Sequence, residues 1–395
     1  MDFRDTPEQA TWRTEVREFL RTERPSVSTD DMNMEGGGGM RGAAGMAWMR
    51  EWREKLARKG WIAPAWPKEY GGAGLGVMEQ FVMNEEFAEA RAMNVGGMGT
   101  SMIGPTLIVH GNDEQKKEHL SRILRGEVQW CQGYSEPGSG SDLASLQTRA
   151  VRDGDDYVIN GQKIWTSGAH TANWMFMLAR TDPDAPKHRG ITYFLMDMKS
   201  PGVTVRPLIN MANGHMFNEV FFEDVRVPAR NVLGEVNRGW YIGTTTLDFE
   251  RSSIGNAVGQ RQTLEYYMKF WKDNQGTPAT ASASAKAKDE FADRWIEAAT
   301  AKMLSYRVIT IQAEGRGPNH EASIAKLFNT ELSQRIARTA MKMIGTSAQL
   351  MGSDAPMKGR APSSYVQTVS STIAGGTSEV QRNIVATRGL GLPRA

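Results

Sequence analysis

Two stretches of this sequence hold the residue types and spacings that could do chemistry. The first is Ser135-Glu-Pro-Gly-Ser-Gly-Ser141, whose small residues let backbone N–H groups and hydroxyls come close to phosphate oxygens. It lacks the Gly-Lys-Ser/Thr of a P-loop and does not follow a strand-to-helix pattern, so neither a nucleoside-triphosphate cradle nor a Rossmann turn is implied. By composition alone it reads as a plain loop. The second stretch is Leu247-Asp-Phe-Glu-Arg-Ser-Ser-Ile254. Taken as helix, Leu247, Glu250, Ile254 and Val258 fall on one apolar stripe. A carboxylate there is costly to bury unless a pocket, a partner or a function compensates, which makes Glu250 a candidate acid–base residue. The alternatives are an exposed glutamate or one paired with an arginine elsewhere. Cys131 is the only cysteine, which excludes an internal disulfide and a cysteine-based zinc cluster, and the six histidines show no ligand spacing, so no metal is expected.

The elements that must position these residues change character twice along the chain. Up to Gly126 the pattern is helical, with candidate helices at Pro7–Thr22, Met46–Lys59, Gly76–Ala92 and Glu114–Arg125; the tract Glu35-Gly-Gly-Gly-Gly-Met40 is a flexible loop by composition. Strand signals take over at Val128. Val158-Ile159 and Lys163-Ile164-Trp165 flank Asn160-Gly161, which reads as a hairpin turn. Further strands are expected at Trp174–Ala179, Ile191–Met198, Val203–Leu208 and Val220–Val227. After Gly239 the helical period returns over Tyr241–Asp273, Lys288–Gly315, Ile324–Gly345 and Glu379–Arg388, with Gln275–Ala287 as an exposed connection. The expected fold is α+β: an N-terminal α-helical domain (1–127), a middle antiparallel β-domain (128–238) and a C-terminal α-helical bundle (239–395). At 395 residues the chain is long enough for several packed layers.

With 47 basic and 45 acidic residues the formal charge is +2, and the two signs are interspersed, which argues against a nucleic-acid arm or a polybasic membrane patch. The start of the chain carries acid early with no apolar segment after it, and nowhere do about 18 apolar residues run together. A cytoplasmic protein with no membrane and no nucleic-acid partner is expected.

Trp130-Cys-Gln-Gly-Tyr-Ser-Glu-Pro-Gly-Ser-Gly-Ser-Asp142, then Asn160-Gly-Gln-Lys-Ile-Trp-Thr-Ser167, then Ile373-Ala-Gly-Gly-Thr-Ser-Glu-Val-Gln-Arg-Asn383 resemble the flavin-binding signatures of the acyl-CoA dehydrogenase family. Gly60-Trp-Ile-Ala-Pro-Ala-Trp-Pro-Lys-Glu-Tyr-Gly-Gly72 adds a fourth match in register, so the resemblance spans nearly the whole chain. It is closest to bacterial members that include a pimeloyl-CoA dehydrogenase large subunit and actinobacterial steroid-side-chain enzymes, several of which are two-subunit heteromers. The resemblance implies FAD as cofactor. It places Ser135 at the flavin N5/O4 edge, Gln132 and Tyr134 at the ring, Trp165 against the isoalloxazine with Thr166 and Ser167 offering hydrogen bonds, and Ser141 near the pyrophosphate or the substrate thioester. Thr377 and Glu379 would touch FAD of this or a neighbouring subunit. For Trp165 the competing reading is a core tryptophan on a strand.

The resemblance also implies removal of two hydrogens from Cα and Cβ of an acyl-CoA, with a carboxylate taking the α-proton. Many members carry that glutamate in a Tyr-Glu-Gly-Thr motif, whereas the matching positions here are Ala374-Gly375-Gly376-Thr377. Gly375 can still offer a backbone N–H to the thioester carbonyl, with Gly376 beside it. Other members carry the base on the first long helix after the β-domain, a position Glu250 occupies here, with Asp248 and Arg251 as substrate contacts. The family's Arg-x-x-Phe-Gly segment is absent: Tyr267-Met-Lys-Phe-Trp-Lys-Asp-Asn274 stands in its place. Partners implied by the resemblance are an acyl-CoA, an electron-transfer flavoprotein as electron acceptor, and either identical copies in a homodimer or homotetramer or a homologous subunit in a heteromer.

Overall fold

The computed structural model describes residues 4–25, 43–248, 254–281 and 286–393. In chain order these form helices α1 (Pro7–Glu23), α2 (Ala43–Arg58), α3 (Val77–Glu89), α4 (Gly104–His110) and α5 (Asp113–Arg125). Strands follow as β1 (Trp130–Gly133), β2 (Arg149–Asp153), β3 (Asp156–Lys163), β4 (Trp174–Arg180), β5 (Ile191–Asp197), β6 (Val203–Ile209) and β7 (His215–Pro228). The chain then returns to helix as α6 (Gly239–Asp248), α7 (Ile254–Asp273), α8 (Ala287–Ala313), α9 (His320–Ile344), α10 (Arg360–Ser371) and α11 (Ser378–Ile384). This is the expected α+β order, helices then sheet then helices.

The residues gather into two compact units, one of residues 1–22, 76–93 and 252–395, the other of 23–75 and 94–251. The second unit holds the sheet, with β1, β4, β2, β3, β7 and β6 in that order and β5 on β4. Pairing is antiparallel at β2–β3, β3–β7, β7–β6 and β4–β5, and parallel where β4 meets β1 and touches β2. Met175–Ala179 and Ile191–Met196 are buried on both faces and, Thr192 apart, correspondingly apolar, whereas β6 alternates and carries Pro207 on an edge. Cys131, Ile159, Met175, Met177, Phe194, Met196, Val220 and Phe222 form its core.

Asn160-Gly161 is not a hairpin turn. Strand β3 runs straight through it, and the register to β7 slips between Ile159 and Gly161, the mark of a β-bulge. Gly161 sits at φ +149°, where a Cβ would come within 2.6 Å of Thr148 Oγ1. The Asn160 amide exchanges two 2.9 Å hydrogen bonds with Asp224 of β7, its Nδ2 donating to the Asp224 carboxylate and its Oδ1 accepting from the Asp224 N–H. The two-residue turn is Gly154-Asp155, with Asp153 opposite Asp156 and Gly154 at φ +61°, another pairing of residues suited to positive φ.

The other unit is a helical bundle around Leu264, Tyr267, Phe291, Leu332, Ile336 and Met343. A buried ion network joins three distant parts of its sequence. Arg13 of α1 bonds Glu85 and Glu86 of α3, each at 2.7 Å, and Asp5 at 2.6 Å; Arg17 bonds Glu86 at 2.6 Å and Lys302 of α8 bonds Glu85 at 2.7 Å. Burial works against the Glu85 charge, but Lys302 and Arg13 outweigh it and hold its carboxyl below the usual value.

Candidate functional site

In the sheet-bearing unit the residues around Ser135 and those after β3 come together. Ile164 N–H donates to Ser135 O at 2.9 Å, which brings Gln132, Tyr134 and Ser135 beside Trp165, Thr166 and Ser167. Below this junction lies a buried ion pair. Lys163, wholly buried, donates to Glu136 Oε1 at 2.8 Å and to Tyr134 O at 3.0 Å. Glu136 in turn accepts from the backbone N–H groups of Gln147 (2.6 Å) and Thr148 (2.9 Å). Burial pulls the Lys163 ammonium down to about 8 although Glu136 supports it. For Glu136 burial acts the other way, but Lys163 and the Gln147 N–H prevail and keep the carboxyl below its usual value.

Trp165 is no core residue of a strand. It lies beyond the end of β3, is 56% exposed and adopts φ +59°, an uncommon backbone state for a bulky side chain. Its neighbours impose that conformation. Ile164 is held by Ser135, while Thr166 N–H donates to Asn218 O at 3.0 Å and Asn218 Nδ2 donates to Thr166 O at 3.0 Å. Such strain persists only where surrounding structure overdetermines it. The Trp165 ring is left facing outward, edge-on to Phe217 with centroids 5.9 Å apart.

Two side-chain atoms at this junction are buried with hydrogen-bonding capacity unused. Thr166 Oγ1 and Gln132 Nε2 have no partner among the described residues. Tyr134 Oη lies against Thr246, Tyr193 and Gln132, without a well-formed hydrogen bond to any of them, and burial pushes its phenol up to about 12. Buried polar atoms are ordinarily paired, so free donors beside an exposed, fixed indole suit a planar, polar-edged ring. The residues fit a flavin on this observation. Gln132, Tyr134, Ser135, Trp165, Thr166 and Ser167 would hold it.

Helix α6 is fixed in the same unit by hydroxyls. Fully buried Thr246 bonds Thr106 of α4 at 2.9 Å and Tyr193 of β5 at 3.3 Å. The helix is described as far as Asp248. Glu250 and Arg251 lie outside the described residues, as does the side chain of Asp248. The expected continuous helix Tyr241–Asp273 is therefore described as α6 and α7, with Ile254 and Val258 buried on the latter. Ser141 is exposed in a loop whose Asp142 pairs with Lys187.

The C-terminal glycine turn belongs to the helical unit. Gly375 and Gly376 have φ of +64° and +90°. Their carbonyls are occupied: Lys326 Nζ donates to Gly376 O at 2.5 Å, and Gln381 Nε2 to Gly375 O at 3.1 Å. The N–H groups of the two glycines find no acceptor among the described residues. Thr377 caps α11, its hydroxyl accepting from Val380 N–H at 3.2 Å, and the Glu379 carboxylate is exposed on the first turn. The backbone N–H of Glu379 itself holds that carboxyl below its usual value, with the Thr377 hydroxyl adding to the effect.

Sequence reasoning passed over Lys163, Glu136 and Asn218. A lysine in step with Tyr157 and Ile159 on the inward face of β3 was the available signal, since an unpaired ammonium would not be placed there. Among the described residues no group of three or more His, Cys, Asp or Glu could hold a metal ion, and no helix is long and apolar enough to cross a membrane.

Comparison with known proteins covers the whole chain. The acyl-CoA dehydrogenase N-terminal domain matches residues 6–127, the middle domain 131–225 and the C-terminal domain 237–390. Acyl-CoA dehydrogenase FadE34 of Mycobacterium tuberculosis is 37% identical over 86% of this chain; the chain spans 46%, about half, of that protein's length. Among solved structures, the Tcur3481-Tcur3483 steroid ACAD is 32% identical with a TM-score of 0.85, and the ChsE4-ChsE5 complex from Mycobacterium tuberculosis is 35% identical with a TM-score of 0.80; both matches cover 100% of both chains. Domain by domain and in the shape of its fold, the chain belongs to the acyl-CoA dehydrogenase family, a family of flavoprotein oxidoreductases.

Proposed function

We propose that this chain carries out FAD-dependent α,β-dehydrogenation of an acyl-CoA thioester to a trans-2-enoyl-CoA, with Glu250 removing the α-proton. The observation that carries the flavin reading is the pair of unused buried polar groups, Thr166 Oγ1 and Gln132 Nε2, beside the strained and exposed Trp165. When bound, FAD supplies the acceptor for the β-hydride. The chain's own part is to polarise, to hold and to take a proton. The free N–H of Gly375 would donate to the thioester carbonyl, and with it the adjacent Gly376 N–H, which raises the acidity of the α-carbon. Glu250 would take the α-proton, with Asp248 and Arg251 against the substrate. Thr377, Glu379 and Ser141 would complete the contacts to cofactor and thioester. Electrons would leave to an electron-transfer flavoprotein.

Anaerobic titration of the FAD-loaded wild type and Glu250→Gln with straight-chain, alicyclic and steroid-side-chain acyl-CoAs, following flavin absorbance, tests this reading. Bleaching in the wild type alone supports it; equal bleaching of both proteins removes Glu250 as the base. A second reading, a catalytically incomplete subunit of a heteromer, is favoured by Gly375 standing where many relatives carry the base and by the similarity to a chain of the ChsE4-ChsE5 complex. Uptake of FAD only on co-expression with a homologous subunit would support that reading instead.

A further inference from the structure

Asn218 of β7 is fully buried, and every polar atom of its side chain is spent within the unit. Thr166 O can only accept, so the Asn218 atom 3.0 Å from it is Nδ2. That fixes the amide. Its second Nδ2 hydrogen points to His170 Nδ1 at 3.1 Å, which must be unprotonated to accept, and its Oδ1 accepts from His215 Nε2–H at 2.9 Å. The two imidazoles stack on each other with centroids 4.2 Å apart and planes 28° from parallel. The Asn218 backbone takes the remaining contact, its carbonyl accepting from Thr166 N–H at 3.0 Å.

One residue thus grips both sides of Thr166, is itself braced by two rings, and leaves the Thr166 hydroxyl as the atom with no partner. Filling a sheet interior calls for none of this; an apolar side chain would do so without three polar contacts to satisfy. We propose that Asn218, braced by His170 and His215, is a positioning residue that sets Trp165 at its positive φ and aims the Thr166 hydroxyl at the flavin. This rests on the flavin reading above and concerns which residue orders that edge of the site.

The test uses the full chain stripped of FAD, titrated with FAD and followed by flavin fluorescence and by visible circular dichroism of the bound flavin. Asn218→Asp sets an acceptor against Thr166 O. It is expected to weaken FAD binding about tenfold, what the loss of one or two hydrogen bonds costs, and to change the dichroism of the flavin that still binds. His170→Phe keeps a ring in the stack but removes the Nδ1 acceptor, and covers the case in which Asn218→Asp does not fold; it shifts both readouts in the same direction by less. A folded variant of either kind with wild-type affinity and dichroism overturns the proposal. So does a loss of thermal stability with the flavin signature unchanged, which would make Asn218 merely structural. Failure of the wild type to bind FAD would overturn the flavin reading, and the proposal with it.

Discussion

Breaking the Lys163–Glu136 pair from its two ends should give unequal losses with opposite pH dependence. In Glu136→Gln the ammonium loses its counter-charge and its cheapest escape is deprotonation. With a value already near 8, neutralising it at pH 7 costs about 1 kcal/mol, since each pH unit is worth about 1.4 kcal/mol. In Lys163→Met the carboxylate is stranded. It is held below the usual 4.5, so protonating it at pH 7 costs at least about 3 kcal/mol, and Tyr134 O loses its donor as well. Removing one partner of a buried pair costs about 3–5 kcal/mol in general. Lys163→Met belongs in that range and Glu136→Gln below it.

The signs follow from proton linkage. In the wild type, Glu136 contributes stability that is complete above about 4.5 and drains as pH falls through its lower folded value. Lys163, pulled below 10.5, carries a cost that fades as pH rises from about 8 to 10.5, where the unfolded chain keeps the proton and the folded chain does not. The Glu136→Gln penalty should therefore grow to about 3 kcal/mol at pH 6 and nearly vanish by pH 8, while the Lys163→Met penalty is full at pH 7–8 and shrinks toward pH 5. Urea unfolding of the FAD-free protein at pH 5, 6, 7 and 8 measures both. Glu136→Gln proving the more damaging at pH 7, or both penalties moving the same way with pH, would refute the reasoning.

Thr166→Val removes an unpartnered buried hydroxyl, so the FAD-free chain should gain about 1 kcal/mol while FAD binding weakens, read from paired melting and FAD titration. At Trp165 the Gly variant should be more stable than the Ala variant by about 1 kcal/mol by urea midpoint, because only glycine occupies φ +59° without strain. Arg13→Met takes one cation from each of two buried carboxylates but leaves Glu85 with Lys302 and Glu86 with Arg17, and should lose about 1.5–3 kcal/mol in thermal unfolding of the helical unit.

The order of elements was legible because period is local: the apolar stripes of α8 and α9 and the doubly apolar runs of β4 and β5 announce themselves. Asn160-Gly161 misled because a bulge and a turn ask for the same backbone freedom, and only the pairing of Asn160 with Asp224, 64 residues away, separates them. The parallel contact of β1 with β4 was hidden for a similar reason, since strand direction is set by where the chain returns. At the site, the motifs marked Gln132, Ser135 and Thr166, but what holds them lies elsewhere. The phase of Lys163 on β3 marks a lysine that needs a partner, but neither its pairing with Glu136, 27 residues away, nor the reach of Asn218 to Thr166 leaves a trace within a short window.

The Arg13, Glu85 and Lys302 network has a consequence for how the chain is made. The helical unit is interrupted in sequence by the whole sheet-bearing unit. On a ribosome, α1 and α3 emerge with Glu85 and Glu86 ready for burial, while Lys302 and the helices that pack beside them are some two hundred residues from synthesis. At about 5–20 residues per second that is a wait on the order of 10–40 s. During it the sheet, whose strands lie in one stretch of chain, can close on its own, whereas α1 and α3 show their inner faces to solvent and to chaperones. Truncations upstream of α8 should therefore leave α1 and α3 open to protease while the sheet resists, and the last third of this sequence decides whether α1 is ever buried.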